Sequence, residues 1–400
     1  MKLLAVLALL AFAAAAAPLL RAAAQGGEGG GGPLPFAVGA APAGCDVGRG
    51  EWVRDGAARP LYHEWECPYI QPELTCQAHG RPDKEYQGWR WQPRECSRPS
   101  FNATLMLEML RGKRMLFVGD SLNRGQYVSL LCLLHRAIPD AGKSFETVGA
   151  LSVFRAKDYD ATIEFYWAPM LAESNSDDDA AAVVRRADDR LIRGAPMDKH
   201  SSFWKGADIL VFNSYLGWVA GDKIQILRGA DDDMSKDIVE MKSEEAYRLV
   251  LYQVVRWLEH NVDPKNSRVF FVTASPTHED SKLWGDAAEG GGNCYNQTSP
   301  ISDASYRGST SPREMQRVTA EVLATSRVPV GVVNITQLSE YRRDAHTQIY
   351  KKQWAEPTAE QRADPRSYAD CTHWCLPGVP DTWNELLYWK LFFPSNDQVL

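Results

Sequence analysis

With 400 residues, 44% of them hydrophobic and 24% charged, the chain is too apolar to be disordered and long enough for one large globular unit or two smaller ones. A net charge of −7 argues against a nucleic-acid binder working by phosphate neutralisation and suits a neutral or weakly charged partner.

Residues 3–20 form an unbroken apolar run after Lys2, just long enough to span a bilayer. Two readings stay open for residues 1–24: a signal anchor, which the length favours, or a signal peptide cleaved near Ala22-Ala23-Ala24. Lys2 and Arg21 flank the run on either side, so charge scarcely orients it. Under either reading the rest of the chain enters the secretory pathway. Residues 25–43 are rich in Gly, Ala and Pro and read as a flexible stem. From 44 to 100 the chain is dense in Cys, Trp, Pro and Tyr and lacks long apolar runs, so this segment needs disulfides to hold it to something larger. The eight cysteines, Cys45, Cys67, Cys76, Cys96, Cys132, Cys294, Cys371 and Cys375, read as four disulfides among 105 connectivities. A zinc site is the rival, weakened by the lack of any CxxC pair; no metal is expected. Sequons at Asn102, Asn296 and Asn334 agree with a lumenal chain.

Residues 101–400 alternate strand and helix patterns. The expected strands are Met115–Gly119, Thr162–Trp167, Ile209–Asn213, Val269–Ala274 and Val330–Ile335. Helices are expected over Leu122–Ala137 and, most clearly, Ser243–His260, where Tyr247, Val250, Leu251, Val254, Val255 and Leu258 keep the helical period. This alternation predicts an α/β fold with a mostly parallel sheet. The Asp-rich stretches 173–190 and 220–242 read as surface loops.

The chemistry gathers at two places. After the strand 115–119 comes Gly119-Asp120-Ser121, which puts a serine where a strand stops and a helix begins. Free N–H groups at such a junction can stabilise an oxyanion. Ser121 is then a nucleophile, or Asp120 or Ser121 merely caps the helix. Near the C-terminus, Asp370 and His373 are three residues apart and can meet around a tight turn, the carboxylate orienting the imidazole. Together the two stretches supply a Ser–His–Asp triad, although the serine is not in a G-x-S-x-G elbow. Asn213 is a candidate second oxyanion donor, or a capping residue. Gly119 and Asp120 border the nucleophile, and Arg124 is a candidate contact for donor or acceptor. Trp167, Tyr215, Trp218, Trp374 and Trp383 are candidates for a sugar-binding groove, each with core packing as the alternative.

Serine at a Gly-Asp-Ser turn with a late DxxH resembles the SGNH/GDSL hydrolase layout, which implies a three-layer fold. The resemblance tightens over CDVGRGEWVRD (45–55), PLYHEWECPYIQPELTCQAHGRPDKEYQGWRWQPREC (60–96), GKRMLFVGDSLNRGQ (112–126), IEFYWAPMLAESNSD (163–177), ADILVFNSY (207–215), VFFVTASPTH (269–278), LSEYRRDAHTQIY (338–350) and DCTHWCLPGVPDTWNELLY (370–388). These stretches resemble the plant trichome birefringence-like family, with its Cys-rich N-terminal domain (44–100) and PC-esterase domain (101–400). The segment 275–295 resembles the branch that acts on xylan. The resemblance implies Ser121 as nucleophile, His373 as base and Asp370 as its partner. It also implies the bridges Cys45–Cys96, Cys67–Cys132, Cys76–Cys375 and Cys294–Cys371. It further implies a Golgi membrane protein, single-pass type II, that O-acetylates xylan at O-2 or O-3 through an acetyl-serine. The acetyl donor would be acetyl-CoA or another carrier, with no tightly bound cofactor. A carbohydrate acetylesterase on the same triad, a transferase acting on mannan or pectin, and a non-catalytic wall-polymer binder are the rivals. Two departures stand out: Gly125 where the family usually has Asn, and Gly217-Trp218 where the branch tends to carry two tryptophans.

Overall fold

The computed structural model describes residues 34–97, 100–177, 190–194, 197–227, 238–285 and 292–394. The apolar run 3–20 lies outside the described residues; among those described, no helix is long and apolar enough to cross a membrane. The last part of the expected stem is not free. Val38 and Gly39 N–H donate to the Phe392 carbonyl at 2.8 and 3.2 Å, and Ala41 N–H to that of Pro394 at 3.2 Å.

Among the described residues fourteen strands follow in chain order: β1 (Gly50–Arg54), β2 (Trp89–Pro93), β3 (Arg114–Gly119), β4 (Lys143–Val148), β5 (Leu151–Ala156), β6 (Ala161–Trp167), β7 (Leu191–Arg193), β8 (Ile209–Asn213), β9 (Lys223–Leu227), β10 (Ile238–Lys242), β11 (Arg268–Val272), β12 (Val330–Val333), β13 (His346–Gln348) and β14 (Asp370–Trp374). Seven make the central sheet, in the order β12-β11-β8-β3-β6-β5-β4. The five strands expected from their apolar runs are its parallel members. A strand buried on both faces has no polar side to show, which is why these segments read as continuous apolar runs. β4 and β5 extend one edge antiparallel.

Four longer helices, α1 (Ser121–Leu134), α2 (Ser243–Asn261), α3 (Thr310–Leu323) and α4 (Val379–Phe392), complete a three-layer α/β/α arrangement. α1 and α4 pack with the Cys-rich segment on one face of the sheet. α2 and α3 pack on the other. α1 is buried almost all round, because the sheet, α4 and the Cys-rich segment enclose it. The Cys-rich segment gives Tyr62, Leu74, Tyr86 and Trp91 to the same apolar cluster as β3 and α1. It has no separate core.

Two expectations need correction. The stretch 220–242 is not wholly a loop: β9 and β10 pair antiparallel, and β7 joins β9 in a small three-stranded sheet. Of the stretch 173–190, residues 178–189 lie outside the described residues; among those described, Asp177 is buried, bonding Lys199 at 2.8 Å. The charge run hid both features, since Ile224 and Ile226 alternate with polar residues over too few positions to stand out.

Candidate active site

At Gly119, the last residue of β3, the chain leaves no room for a side chain. A Cβ at Gly119 would lie 1.8 Å from the Asn213 carbonyl oxygen on β8. Gly119 is thus a point of close backbone approach. Asp120, and not Ser121, is the N-cap of α1. Its Oδ1 accepts from Leu122 N–H at 2.9 Å, and its Oδ2 from Tyr215 and Leu216 N–H at 3.1 and 3.2 Å. Burial pushes the Asp120 carboxyl up, and these N–H groups oppose it. Occupied in this way, Asp120 joins α1 to the loop after β8 and is not available to a substrate.

Ser121 therefore sits in the first turn of α1 with its hydroxyl free for other work. Its Oγ is 2.8 Å from His373 Nε2, and His373 Nδ1 is 2.9 Å from Asp370 Oδ2. Asp370 and His373 are the first and fourth residues of the five-residue strand β14. Asp370 Oδ1 also accepts from the Thr372 and His373 N–H groups at 3.0 and 2.9 Å, which fixes the turn that the DxxH spacing predicts. Burial alone would raise the Asp370 carboxyl, but the His373 ring and the Lys351 ammonium, 2.5 Å from Oδ2, hold it well below the usual carboxylate range. The arrangement can take a proton from the serine hydroxyl and stabilise the imidazolium that forms.

Two disulfides hold this turn. Cys294–Cys371 ties it to the 294 loop and Cys76–Cys375 to the Cys-rich segment. With Cys45–Cys96 and Cys67–Cys132, all four bridges are those the resemblance implies. Arg81, buried in the Cys-rich segment, donates to the carbonyls of His346 and Asp344 at 2.8 and 2.5 Å and so braces β13. Beneath β14, His278 Nδ1 and His346 Nε2 are 2.7 Å apart, and His346 Nδ1 is 3.1 Å from the His373 carbonyl. Burial pushes both imidazoles down, His278 to about 4 and His346 well below the ordinary histidine value.

The remaining candidates fare differently. Asn213 is buried and its Nδ2 donates to the carbonyls of Val272 and Thr273 at 3.0 and 3.1 Å. It braces β8 to β11 and makes no hydrogen bond to Ser121. Arg124 lies with its guanidinium 5.5 Å from the Trp167 ring centroid. Burial lowers its pKa, while Glu73 and Asp120 act in the opposite direction. The five aromatic residues are all packed into the interior. Trp218, Trp374 and Trp383 are core residues whose Nε1–H groups donate at 2.9 Å to Ser214, Ser275 and Ser339 Oγ. Trp167 and Tyr215 are buried as well. A Cβ at Gly125 would meet only Leu74 Cδ1, at 3.9 Å, so this departure is sterically permissive. Gly217 precedes the buried Trp218, and its carbonyl accepts from Arg190. Sequence reasoning passed over Lys351, Arg81, His278 and His346. It also passed over Asn123, buried beside Gly119 with neither end of its amide hydrogen-bonded. Arg81, Asn123, His278 and His346 lie in stretches that carry the resemblance, but no spacing there announces a role for them.

The PC-esterase family, described as a GDSL/SGNH-like acyl-esterase family found in Pmr5 and Cas1p, matches residues 99–390. The chain belongs to this family. The PMR5 N-terminal domain matches residues 43–97. A rice protein (Oryza sativa subsp. japonica) named probable xylan O-acetyltransferase 11 is 75% identical over 375 residues, 92% of each chain. Another, probable xylan O-acetyltransferase 10, is 72% identical over 360 residues, 90% of this chain and 80% of its own. Protein trichome birefringence-like 35 of Arabidopsis thaliana is 49% identical over 346 residues, 86% of this chain and 75% of its own. The PC-esterase chain described here is thus also one of the trichome birefringence-like proteins.

Proposed function

We propose that this PC-esterase is a xylan O-acetyltransferase working through an acetyl-Ser121 intermediate. The hydrogen-bonded line Ser121–His373–Asp370 carries the reading. His373 Nε2 takes the Ser121 proton as Oγ attacks the acetyl carbonyl of the donor. The tetrahedral oxyanion forms near the Ser121 N–H, for which no acceptor is found among the described residues. The donor's leaving group departs with the proton from His373. A xylosyl hydroxyl, at O-2 or O-3, then gives its proton to His373 and attacks the acetyl-serine, which releases Ser121 and the acetylated sugar. Loss of a hole donor in such chemistry costs about 3–4 kcal/mol of barrier. The same acyl-enzyme hydrolyses when water reaches it, and the acyl-esterase description of the family makes acetylesterase the second reading. The acetyl donor is acetyl-CoA or another activated carrier.

We place the enzyme in the Golgi lumen, anchored by residues 3–20. Four disulfides and three exposed sequon asparagines, Asn102, Asn296 and Asn334, support an oxidising secretory compartment.

The test uses the full chain from a secretory host, p-nitrophenyl acetate as donor and unacetylated xylo-oligosaccharides as acceptors. Wild type is expected to add one acetyl mass to the sugar, and Ser121→Ala to add none. Release of acetate with no acetylated sugar at high acceptor would favour the esterase. Acetylation of mannan or pectin oligomers in place of xylan ones would reassign the acceptor.

A further inference from the structure

The aromatic candidates of the sequence are buried, yet the reaction needs an acceptor held firmly enough to exclude water. All 13 tryptophans of the chain fall in the described residues, and two of them are exposed: Trp65, at 81%, and Trp354, at 73%. Trp65 stacks on His63 in the Cys-rich segment and has no tie to the Asp–His turn. Trp354 is placed otherwise. Three residues before it, Lys351 Nζ bonds the Asp370 carboxylate at 2.5 Å. Two residues before it, Lys352 N–H donates to the Pro72 carbonyl at 3.1 Å. Leu74, two residues after Pro72, accepts from Leu376 N–H at 3.1 Å and borders Gly125 on α1, next to Arg124. The loop bearing Trp354 is therefore tied at Lys351 to the triad carboxylate and at Lys352 to the 72–74 segment beside α1. Three extended residues span at most about 10 Å, so the Trp354 backbone stays within that reach of the Lys351 backbone, whose side chain meets the triad.

We infer that Trp354 is an acceptor-stacking residue, a platform for the apolar face of a neutral pyranose chain whose reacting hydroxyl lies at Ser121. The inference rests on the glycan acetyltransferase reading of the site. An exposed indole is a large apolar surface left in water, and single exposed apolar residues are ordinary. What distinguishes this one is its tether to the triad. The Lys352 ammonium lies 4.2 Å from the ring centroid and holds the indole against one side of the loop. A rigid, amphipathic ring loses little side-chain entropy when it takes up a ligand.

The experiment follows two products of the full chain supplied with p-nitrophenyl acetate and xylo-oligosaccharides of two to six units. Trp354→Ala is expected to lower the ratio of acetylated sugar to free acetate roughly three- to tenfold at subsaturating acceptor, the scale of one aromatic contact. The loss is expected to grow with acceptor length, and Trp354→Phe to restore most of the ratio. An unchanged ratio at every length overturns the proposal. So does a parallel fall of both products, which would mark a structural role. If wild type acetylates another glycan and no xylan oligomer, the xylan reading fails, and the same ratio on that glycan decides Trp354. If wild type acetylates no glycan, both fail.

Discussion

At the scale of single residues, the Asp370 carboxylate serves two cations. His373 Nδ1 and Lys351 Nζ meet the same oxygen, Oδ2, while two backbone N–H groups take the other. Lys351 helps the His373 ring hold the Asp370 carboxyl well below the usual carboxylate range. Lys351→Met removes one of those two cations. The acid limb of the kcat/KM profile is then expected to move to higher pH, because Asp370 takes up a proton sooner as pH falls and stops orienting His373. A pH–rate series on both proteins checks this, and coincident acid limbs would show that Lys351 serves only the loop. Ser121, Asp370 and His373 were legible because nucleophile and base sit in short local patterns. Lys351 was not, since it reaches Asp370 across 19 residues with no spacing rule. The tryptophans misled for a related reason. Nothing local tells an indole whose N–H finds a buried serine from one left in water, and Trp218, Trp374 and Trp383 each find one.

At the scale of elements, the short helix Thr336–Glu340 ends on a buried carboxylic acid. Burial raises Glu340 to about 8 against the Tyr306 hydroxyl, 3.4 Å away, and the Ser309 N–H. The folded chain thus holds a proton that the unfolded chain has already lost above pH 4.5. The stability this gives is complete below about pH 4.5 and is lost as pH rises through about 8. Asp381, raised to about 6 by burial, acts in the same sense over a lower window. His278 and His346 act in the opposite sense. Their pKa values are lowered, so stability falls as pH drops below the ordinary histidine value near 6.5. Glu340→Gln is expected to leave Tm near wild type at pH 5 and raise it at pH 8, by an amount on the order of a few kcal/mol of stability. Thermal melts at the two pH values check this, and equal differences at both would overturn it. The element itself shows what a sequence conceals. β3, β8 and β11 announce themselves as apolar runs, whereas β4, with the sequence KSFETV, is exposed along most of its length and carries no such signal.

At the scale of the whole molecule, the Cys-rich segment is part of the catalytic unit. Tyr62 reaches Asp381 at the start of α4 at 2.8 Å, and Ser129 of α1 meets the same oxygen at 2.6 Å. Arg59 pairs with Glu385 on α4 at 2.7 Å, with both side chains almost wholly buried. The Cys76–Cys375 bridge joins residues 299 positions apart and ends two residues beyond His373. A sequence with eight cysteines could not by itself choose this pairing from 105; the family resemblance did. In the chain-entropy account, a cross-link over so long a loop removes much of the freedom of the unfolded chain, worth about 2–5 kcal/mol when a native bridge is lost. The same bridge sets the backbone after His373, so its removal acts twice. The double variant Cys76→Ala/Cys375→Ala is expected to lose stability on that scale. At a temperature where it stays folded, it is also expected to form acetyl-Ser121 more slowly. Cys45–Cys96 lies entirely within the N-terminal segment, 51 positions apart. Cys45→Ala/Cys96→Ala is expected to lose stability with little change in acetyl-enzyme formation on folded protein. Denaturant titration together with mass spectrometry of the acetylated chain separates the two effects. Undiminished acetylation of both folded variants would mean that the bridges serve global stability alone, and that the Asp–His turn keeps its geometry without Cys76.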